Sequence, residues 1–227
     1  PKQHPTGFDP VAHNAWASEI VKKSGVRIPI GVVGGIYSPE IAEDVLAKGQ
    51  ADYVLMGRSA MADPEIIKKA KEGREDDIRP CLRCNNCQTW EARPALAGRG
   101  MCCTVNPALM VEESLVSLPA PAPKRVVVVG GGLAGMSAAA TLAERGHQVI
   151  LHEKSGEPGG QWLAASAGDD KRPFRTLTAG LVRRMKQAGV DIRLNSAPDK
   201  NAILSEQPDA VVLATGAHPR DLAGVDM

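Results

Sequence analysis

Short apolar runs alternate with amphipathic segments along most of this chain, a pattern that predicts strands followed by helices. The apolar runs 28–33 and 52–56 both end at glycine, and they precede helices predicted over 38–48 and 63–72. Each helix opens on a serine or aspartate cap followed by a proline, at a position where a missing N–H costs nothing. Consecutive units of this kind predict neighbouring parallel strands, in either an open doubly wound sheet or a (β/α)8 barrel.

The glycines that follow the two strands lie in matching positions, at Gly34-Gly35 and at Gly57. This arrangement favours the barrel, because barrels often bind phosphate with the loops after their last strands. Gly34 and Gly35 would let the backbone approach an anion, and Arg58 would supply a planar cation. Glycine also occurs at such turns for conformational reasons alone, and that interpretation stays open.

The charge balance of the chain excludes some classes of partner. The 227 residues include 27 Lys and Arg against 26 Asp and Glu, which gives a net charge of +1. Such a balance creates no field that would attract nucleic acid or an anionic membrane surface. The longest apolar run, 126–143, is interrupted by four glycines and predicts a strand, a turn and a helix rather than a membrane span. We therefore expect neither nucleic acid nor a membrane as a partner.

All five cysteines lie between Cys81 and Cys103. An odd number clustered in this way suits a metal site in a reducing compartment, so we expect a cytoplasmic location. Cys81, Cys84 and Cys87 fall within seven residues, and the pair Cys102-Cys103 follows. Three close thiols with a more distant fourth are typical of a [4Fe–4S] cluster. A structural zinc site is the alternative, but it usually takes two separate Cys-x-x-Cys pairs, and here Cys84 would belong to both.

A nucleotide-binding fingerprint follows a Pro- and Ala-rich linker. A predicted strand over 124–129 runs into Gly-x-Gly-x-x-Gly, and a predicted helix and second strand come next. Gly130 would form the tight turn, Gly132 would let the backbone approach a pyrophosphate, and Gly135 would allow close helix packing. Glu153, at the end of the second strand, would accept hydrogen bonds from a ribose. Together these features predict a Rossmann-like dinucleotide-binding unit.

The order of these motifs resembles the iron–sulfur branch of the old yellow enzyme family. That branch includes 2,4-dienoyl-CoA reductase, trimethylamine dehydrogenase and related NADH:flavin oxidoreductases, and the resemblance covers nearly the whole chain. It implies an α/β protein that begins with the C-terminal part of a (β/α)8 flavin barrel, 1–80, and continues with an iron–sulfur segment, 81–110. A linker, 111–124, would lead to an incomplete Rossmann-like domain for FAD or ADP, 125–227.

The resemblance also implies roles for individual residues. The FMN phosphate would be held by Gly34, Gly35, Ile36, Gly57 and Arg58. The [4Fe–4S] cluster would be ligated by Cys81, Cys84, Cys87 and Cys103. Cys103 is preferred to Cys102 because the sequence Cys-Thr-Val-Asn-Pro is similar to the family's turn after its last ligand. FAD, or ADP in the amine dehydrogenases, would be bound by Gly130, Gly132, Gly135, Glu153 and Gln161. Apart from the resemblance, three arginines near the cysteines would either offset part of the charge of the cluster or lie at the surface: Arg83, Arg93 and Arg99.

The function implied by the resemblance is electron transfer from NAD(P)H and FAD, through the cluster, to an FMN that reduces an activated C=C bond of an enoyl or dienoyl thioester. Two alternatives stay open. One is an amine dehydrogenase that passes electrons from FMN through the cluster to an external electron-transfer flavoprotein, and the other is a non-catalytic electron-transfer subunit. The family's substrate-facing acid and base residues lie on strands that this chain lacks, so no catalytic residue is assigned. We expect the chain to be one piece of a larger protein or assembly, which supplies the rest of the barrel and the nicotinamide domain.

Overall fold

The computed structural model of the chain describes residues 2–88, 101–115 and 117–217. The chain divides into two compact units. The first comprises Pro1–Val116 and Ala165–Gly180, and the second comprises Ser117–Ala164 and Leu181–Met227. Every strand pair in the described ranges is parallel. The α/β class predicted from the alternating pattern is therefore confirmed.

The first unit contains the two predicted strand–helix repeats. Its helices and strands are α1 (Ala15–Lys23), β1 (Gly31–Val33), α2 (Pro39–Ala47), β2 (Tyr53–Leu55), α3 (Gly57–Ala62) and α4 (Ile66–Lys71). Strands β1 and β2 pair in parallel with Val32 opposite Val54. The predicted cap of α2 is present, because the Ser38 hydroxyl accepts a hydrogen bond from the Ile41 N–H at 3.4 Å. Val45 and Val32 are buried between α2 and the strands.

The segment after β2 differs from the prediction. Helix α3 begins at Gly57, directly after the strand, where the sequence predicted a glycine turn, and α4 begins at Ile66, three residues after the predicted cap. Asp63 ends α3, and its Oδ1 also accepts the Glu65 N–H at 3.1 Å just ahead of α4. Its buried Oδ2 pairs with Lys69 Nζ at 2.7 Å and accepts the Arg79 N–H at 2.8 Å. A buried carboxylate needs partners of this kind.

The second unit is built on a four-stranded parallel sheet in the order β5-β4-β3-β6. The remaining helices and strands of the chain are β3 (Arg125–Val129), α5 (Leu133–Glu144), β4 (Gln148–His152), α6 (Gln161–Ala165), α7 (Arg172–Gln187), β5 (Asp191–Arg193), α8 (Lys200–Ser205) and β6 (Ala210–Leu213). The hydrophobic core of the second unit packs Val128 and Leu151 of the sheet against Met136 and Ala139 of α5. The small side chain of Ala139 lets the helix lie close to the strands, which places the start of α5 at the carboxyl end of β3. Of the helices described, none is long and apolar enough to cross a membrane.

Candidate functional site

A cavity of about 290 Å³ lies where β1 and β2 end. The five residues predicted to hold a flavin phosphate all line it: Gly34, Gly35, Ile36, Gly57 and Arg58. The carboxyl ends of neighbouring parallel strands meet at the same edge of a sheet, and this brings the two loops together. The buried hydroxyl of Ser59 reinforces the contact between the loops, since it donates to the Ile36 carbonyl at 2.9 Å.

Glycine occupies the positions around this cavity for different physical reasons. Gly34 has φ +126, and a Cβ there would lie 2.5 Å from Asn14 Nδ2. Gly35 has φ +72, and a Cβ there would lie 3.2 Å from the Pro10 carbonyl oxygen. Both positions therefore require glycine whether or not a ligand binds. At Gly57, by contrast, a Cβ would have no atom within 4 Å, so this position opens onto free space.

The Arg58 side chain lines the cavity and is also hydrogen-bonded to two other parts of the chain. Its Nη2 donates to the Pro5 carbonyl at 2.9 Å, and its Nη1 donates to Oδ1 of Asn85. A guanidinium carries five N–H groups, so these two bonds leave others for an anion. The sequence predicted only the cation, and neither bond is signalled by local spacing.

The four cysteines predicted to bind a cluster line one narrow cavity: Cys81, Cys84, Cys87 and Cys103. Cys102 does not line this cavity, and its sulfur instead accepts a hydrogen bond from Asn86 Nδ2 at 3.4 Å. The structure therefore groups four of the five thiols and separates the fifth. Arg58 lines this cavity too, and three residues therefore line both cavities: Arg58, Met61 and Cys81.

The loop that carries the first three cysteines curls through two left-handed residues. Arg83 has φ +53 and Asn85 has φ +57, one between each successive pair of cysteines. Left-handed backbone changes the direction of the chain, which lets closely spaced side chains face a common cavity. Within the described ranges, no three His, Cys, Asp or Glu side chains approach closely enough to hold a single metal ion. A cubane cluster requires no such convergence, because each thiolate binds a different iron, so the donor set fits this group.

Arg83 lies on the cysteine loop with a buried side chain. Its guanidinium donates to the carbonyls of Thr6 and Asp9, and lies 5.5 Å from the centre of the Tyr37 ring. The alternative of a surface position is therefore wrong, and the offset of the charge of a cluster stays a prediction. Arg93 and Arg99, which were expected to share that role, lie outside the described residues.

Burial raises the pKa of the Cys81 and Cys87 thiols. The Arg83 N–H, 3.4 Å from the Cys81 sulfur, and the charge of Arg58 oppose this effect without cancelling it. Metal centres are ligated by thiolates, so binding would have to displace these protons. Cys84 is exposed, and its sulfur lies 3.3 Å from the Thr104 hydroxyl.

A second large cavity, of about 800 Å³, lies in the second unit at the carboxyl ends of its strands. Gly130 and Gly132 line it, and Gly135 lies behind them in the first turn of α5. Gly130 has φ +108, and a Cβ there would lie 2.3 Å from the Ala214 carbonyl oxygen. A Cβ at Gly135 would lie 1.8 Å from the Gly130 oxygen, whereas one at Gly132 would meet no atom within 4 Å. Two of the three glycines thus form the turn and the helix contact, and the third leaves room beside the backbone.

Glu153 lies at the edge of this cavity and is buried. Its Oε2 accepts the Gly131 N–H at 2.6 Å, and its Oε1 accepts the Ser155 N–H at 2.8 Å. Each oxygen keeps acceptor capacity for a further donor. Gln161 also lines the cavity, and its Nε2 donates to the Ala217 carbonyl at 2.6 Å.

His152 also lines the nucleotide-side cavity, and sequence reasoning missed it. Its Nδ1 lies 2.8 Å from the Ser196 hydroxyl, and its Nε2 lies 3.1 Å from Oε1 of Glu206. The buried ring thereby holds Ser196, which lines the same cavity. The only local signal was the position of this histidine directly before Glu153, because its two partners are 44 and 54 residues away in sequence.

Two family models match the chain. Residues 4–77 match the NADH:flavin oxidoreductase / NADH oxidase family, and residues 124–226 match the pyridine nucleotide-disulphide oxidoreductase family. The first match covers the phosphate-side cavity, and the second covers the fingerprint and its cavity. The cysteine cavity combines Arg58 from the first range with cysteines that lie between the two ranges.

Among curated proteins, an NADH oxidase from Thermoanaerobacter brockii is 45% identical over 206 residues, which are 90% of this chain and 31% of that protein. A cinnamate reductase from Clostridium sporogenes is 39% identical over 206 residues, which are 90% of this chain and 30% of that protein. The chain thus spans about 30% of the length of these relatives.

Solved structures show the same fold over nearly the whole chain. A complex of 2-naphthoyl-CoA reductase with 2-naphthoyl-CoA has a TM-score of 0.88 at 30% identity, over 98% of this chain and 34% of that one. Histamine dehydrogenase from Rhizobium sp. 4-9 has a TM-score of 0.83 at 26% identity, over 96% of this chain and 32% of that one. The chain therefore combines a segment similar to the NADH:flavin oxidoreductase / NADH oxidase family, residues 4–77, with a segment similar to the pyridine nucleotide-disulphide oxidoreductase family, residues 124–226.

Proposed function

We propose that this chain carries the cluster ligands, part of the FMN site and the nucleotide site of an NAD(P)H-dependent flavin oxidoreductase that reduces an activated C=C bond. The observation that carries the proposal is the grouping of Cys81, Cys84, Cys87 and Cys103 around one cavity, with Arg58 shared between that cavity and the phosphate-side cavity. A cluster there would lie next to the flavin phosphate site.

The cysteine loop would hold and shield an electron carrier. When bound, a [4Fe–4S] cluster carries single electrons, whereas flavins and nicotinamides exchange electrons in pairs. The thiols of Cys81 and Cys87 are sheltered from water, and the left-handed residues between the cysteines hold the loop around the cavity. The odd number of cysteines, clustered in the pattern of a metal site, supports a reducing, cytoplasmic setting for the protein.

The loops after β1 and β2 would hold the FMN phosphate. Gly57 leaves space beside the backbone, and Arg58 faces that space with unused N–H groups. The left-handed turn at Gly34-Gly35 leads the chain to Ile36, whose carbonyl is fixed by Ser59. These residues bind and orient the phosphate end, and the remaining strands of a (β/α)8 barrel would supply the contacts to the flavin ring and the acid or base groups.

The second unit would bind FAD or ADP. Gly132 leaves room for a pyrophosphate at the start of α5, where backbone N–H groups and the helix dipole favour negative charge. Glu153 keeps acceptor capacity for ribose hydroxyls, and Gln161 lines the same cavity. NAD(P)H would reach this cofactor from a domain that completes the unit.

The reduction of a C=C bond is inferred from relatives that are about three times as long as this chain. One is named for the reduction of cinnamate, and a solved structure of high similarity is a reductase bound to 2-naphthoyl-CoA. The first compound is a free carboxylate and the second is a CoA thioester, and of these two classes we propose an enoyl or dienoyl thioester as the substrate. An amine dehydrogenase is the second candidate, because histamine dehydrogenase shares the fold over 96% of the chain. That function would place ADP in the nucleotide site and an electron-transfer flavoprotein among the partners.

Analysis of iron, zinc, sulfide, FMN, FAD and ADP in the anaerobically purified full-length protein tests the proposal. We expect about four iron atoms and four sulfides per chain, together with FMN and FAD. ADP in place of FAD would favour the amine dehydrogenase, and iron without FMN would favour an electron-transfer subunit. Stoichiometric zinc in place of iron would contradict the proposed function.

A further inference from the structure

The Arg58 guanidinium joins two sites that the sequence treats as separate. It lines the phosphate-side cavity with Gly57, and it lines the cysteine cavity with Cys81 and Cys87. Its Nη1 reaches across to the side chain of Asn85. A change in the position of this guanidinium therefore alters both the phosphate-side cavity and the cysteine cavity.

Asn85 is the partner of Arg58 on the cysteine loop, between Cys84 and Cys87. Its Oδ1 accepts from Arg58, and its Nδ2 donates to the His4 carbonyl at 3.1 Å. Both ends of the amide are used, which fixes its orientation. The backbone of Asn85 is left-handed, a conformation that asparagine tolerates better than most residues, so the position suits both the turn and the bond.

A short N-terminal segment anchors the same contact. Arg58 Nη2 donates to the Pro5 carbonyl at 2.9 Å, next to the His4 carbonyl that Asn85 holds. Gln3 and His4 line the phosphate-side cavity. Arg58, Asn85 and this segment therefore form one closed set of hydrogen bonds between the two cavities.

From this set of bonds, and resting on the proposed function, we propose that binding of the flavin phosphate and retention of the cluster are coupled through the Arg58–Asn85 hydrogen bond. A phosphate oxygen that engages the free N–H groups of Arg58 fixes the guanidinium, and the guanidinium fixes Asn85 and the curl of the cysteine loop. Coupling of this kind is reciprocal, so the cluster must strengthen FMN binding by the same factor.

The rate of iron loss to a ferrous chelator, measured in the full-length protein with FMN bound and after its removal, tests this coupling. In the wild-type protein, removal of FMN is expected to accelerate iron loss, by about fivefold if the whole coupling free energy acts on dissociation of the cluster. In Asn85→Gly, which keeps the left-handed backbone and removes the amide, the rates with and without FMN are expected to be equal. Shielding of the cluster by the flavin alone would give the same FMN effect in both proteins, and that result would overturn the proposal.

Two further variants keep the test decisive if Asn85→Gly takes up no cluster. Asn85→Asp retains an acceptor for Arg58 and is expected to keep the FMN effect. Asn86→Ala removes the neighbouring amide, which bonds to Cys102, and is also expected to keep it. Loss of the effect in both variants would contradict the assignment to this hydrogen bond. Wild-type protein that contains iron and FMN but shows no FMN effect would refute the coupling alone, whereas protein without iron would refute the proposed function.

Discussion

Alanine at Gly135, compared with alanine at Gly132, distinguishes the structural role of the fingerprint from its ligand-binding role. A Cβ at Gly135 would lie 1.8 Å from the Gly130 carbonyl oxygen, whereas Cβ contacts below 3.0 Å are essentially never observed. The start of α5 and the turn after β3 would have to separate by about 1.2 Å, the shortfall between these two distances. The obstructing atom is a backbone oxygen held in the turn, so no side-chain rotation can relieve the overlap.

Overpacking of this kind typically costs about 1–3 kcal/mol, and a rigid backbone obstacle places Gly135→Ala near the upper end. Gly132→Ala is the matched variant, because a Cβ there meets no atom within 4 Å and the backbone is extended. Its unfolding free energy is expected to change by less than about 0.5 kcal/mol. Its affinity for FAD or ADP is expected to fall at least about tenfold, or about 1.4 kcal/mol, because the methyl group occupies the space proposed for the pyrophosphate.

Two assays on the full-length protein distinguish these effects: unfolding of the nucleotide-free form by circular dichroism, and titration with FAD and ADP by calorimetry. Gly180→Ala is a control inside α7, where a Cβ meets no atom and alanine should stabilise the helix by about 0.5–1 kcal/mol. Unaltered stability of Gly135→Ala would refute the packing argument. Unaltered nucleotide affinity of Gly132→Ala would refute the assignment of the cavity.

Three further predictions follow from single side chains. Cys103→Ser is expected to lose most of the bound iron and Cys102→Ser to retain it, as measured by iron analysis, since only Cys103 lines the shared cavity; equal loss in both would contradict this. Burial alone would raise the pKa of Asp63, but the ion pair with Lys69 and the backbone N–H donors lower it overall. The stabilisation that results is present above the unfolded pKa of about 3.9 and is lost as pH falls through the lower folded value. Asp63→Asn should therefore cost about 2 kcal/mol at pH 7 and progressively less as the pH falls below about 3.9, and a difference in unfolding free energy independent of pH would disprove it. Glu153→Gln would replace one carboxylate oxygen by an amide group whose N–H faces the backbone N–H of Gly131 or Ser155. The affinity for the nucleotide, measured by calorimetry, should therefore fall about tenfold, and unchanged affinity would exclude a contact with the ribose.

The features that sequence reasoning reached are those encoded by short spacings. The glycine turn at Gly130 and the close helix contact at Gly135 follow from a motif six residues long, and the structure places a backbone oxygen against each. The grouping of Cys81, Cys84 and Cys87 follows from two-residue gaps. The fourth cysteine was assigned by resemblance and not from spacing, because fifteen residues separate it from Cys87.

The features that sequence reasoning missed depend on distant partners or on elements too short to show a period. Helix α3 has six residues, and Gly57 at its start was interpreted as a turn because glycine usually marks one. His152 finds both of its partners more than forty residues away. Arg83 is buried against the backbone at Thr6 and Asp9, although a charged residue between two cysteines is expected to face solvent or a metal centre.

Anomalous diffraction at the iron absorption edge, from crystals of the anaerobically prepared full-length protein, would locate any iron bound by the cysteine loop. We expect one strong iron peak inside the cavity bounded by Cys81, Cys84, Cys87 and Cys103, with Cys102 outside the coordination sphere. An iron peak elsewhere, or a single zinc ion held by a different set of cysteines, would contradict it.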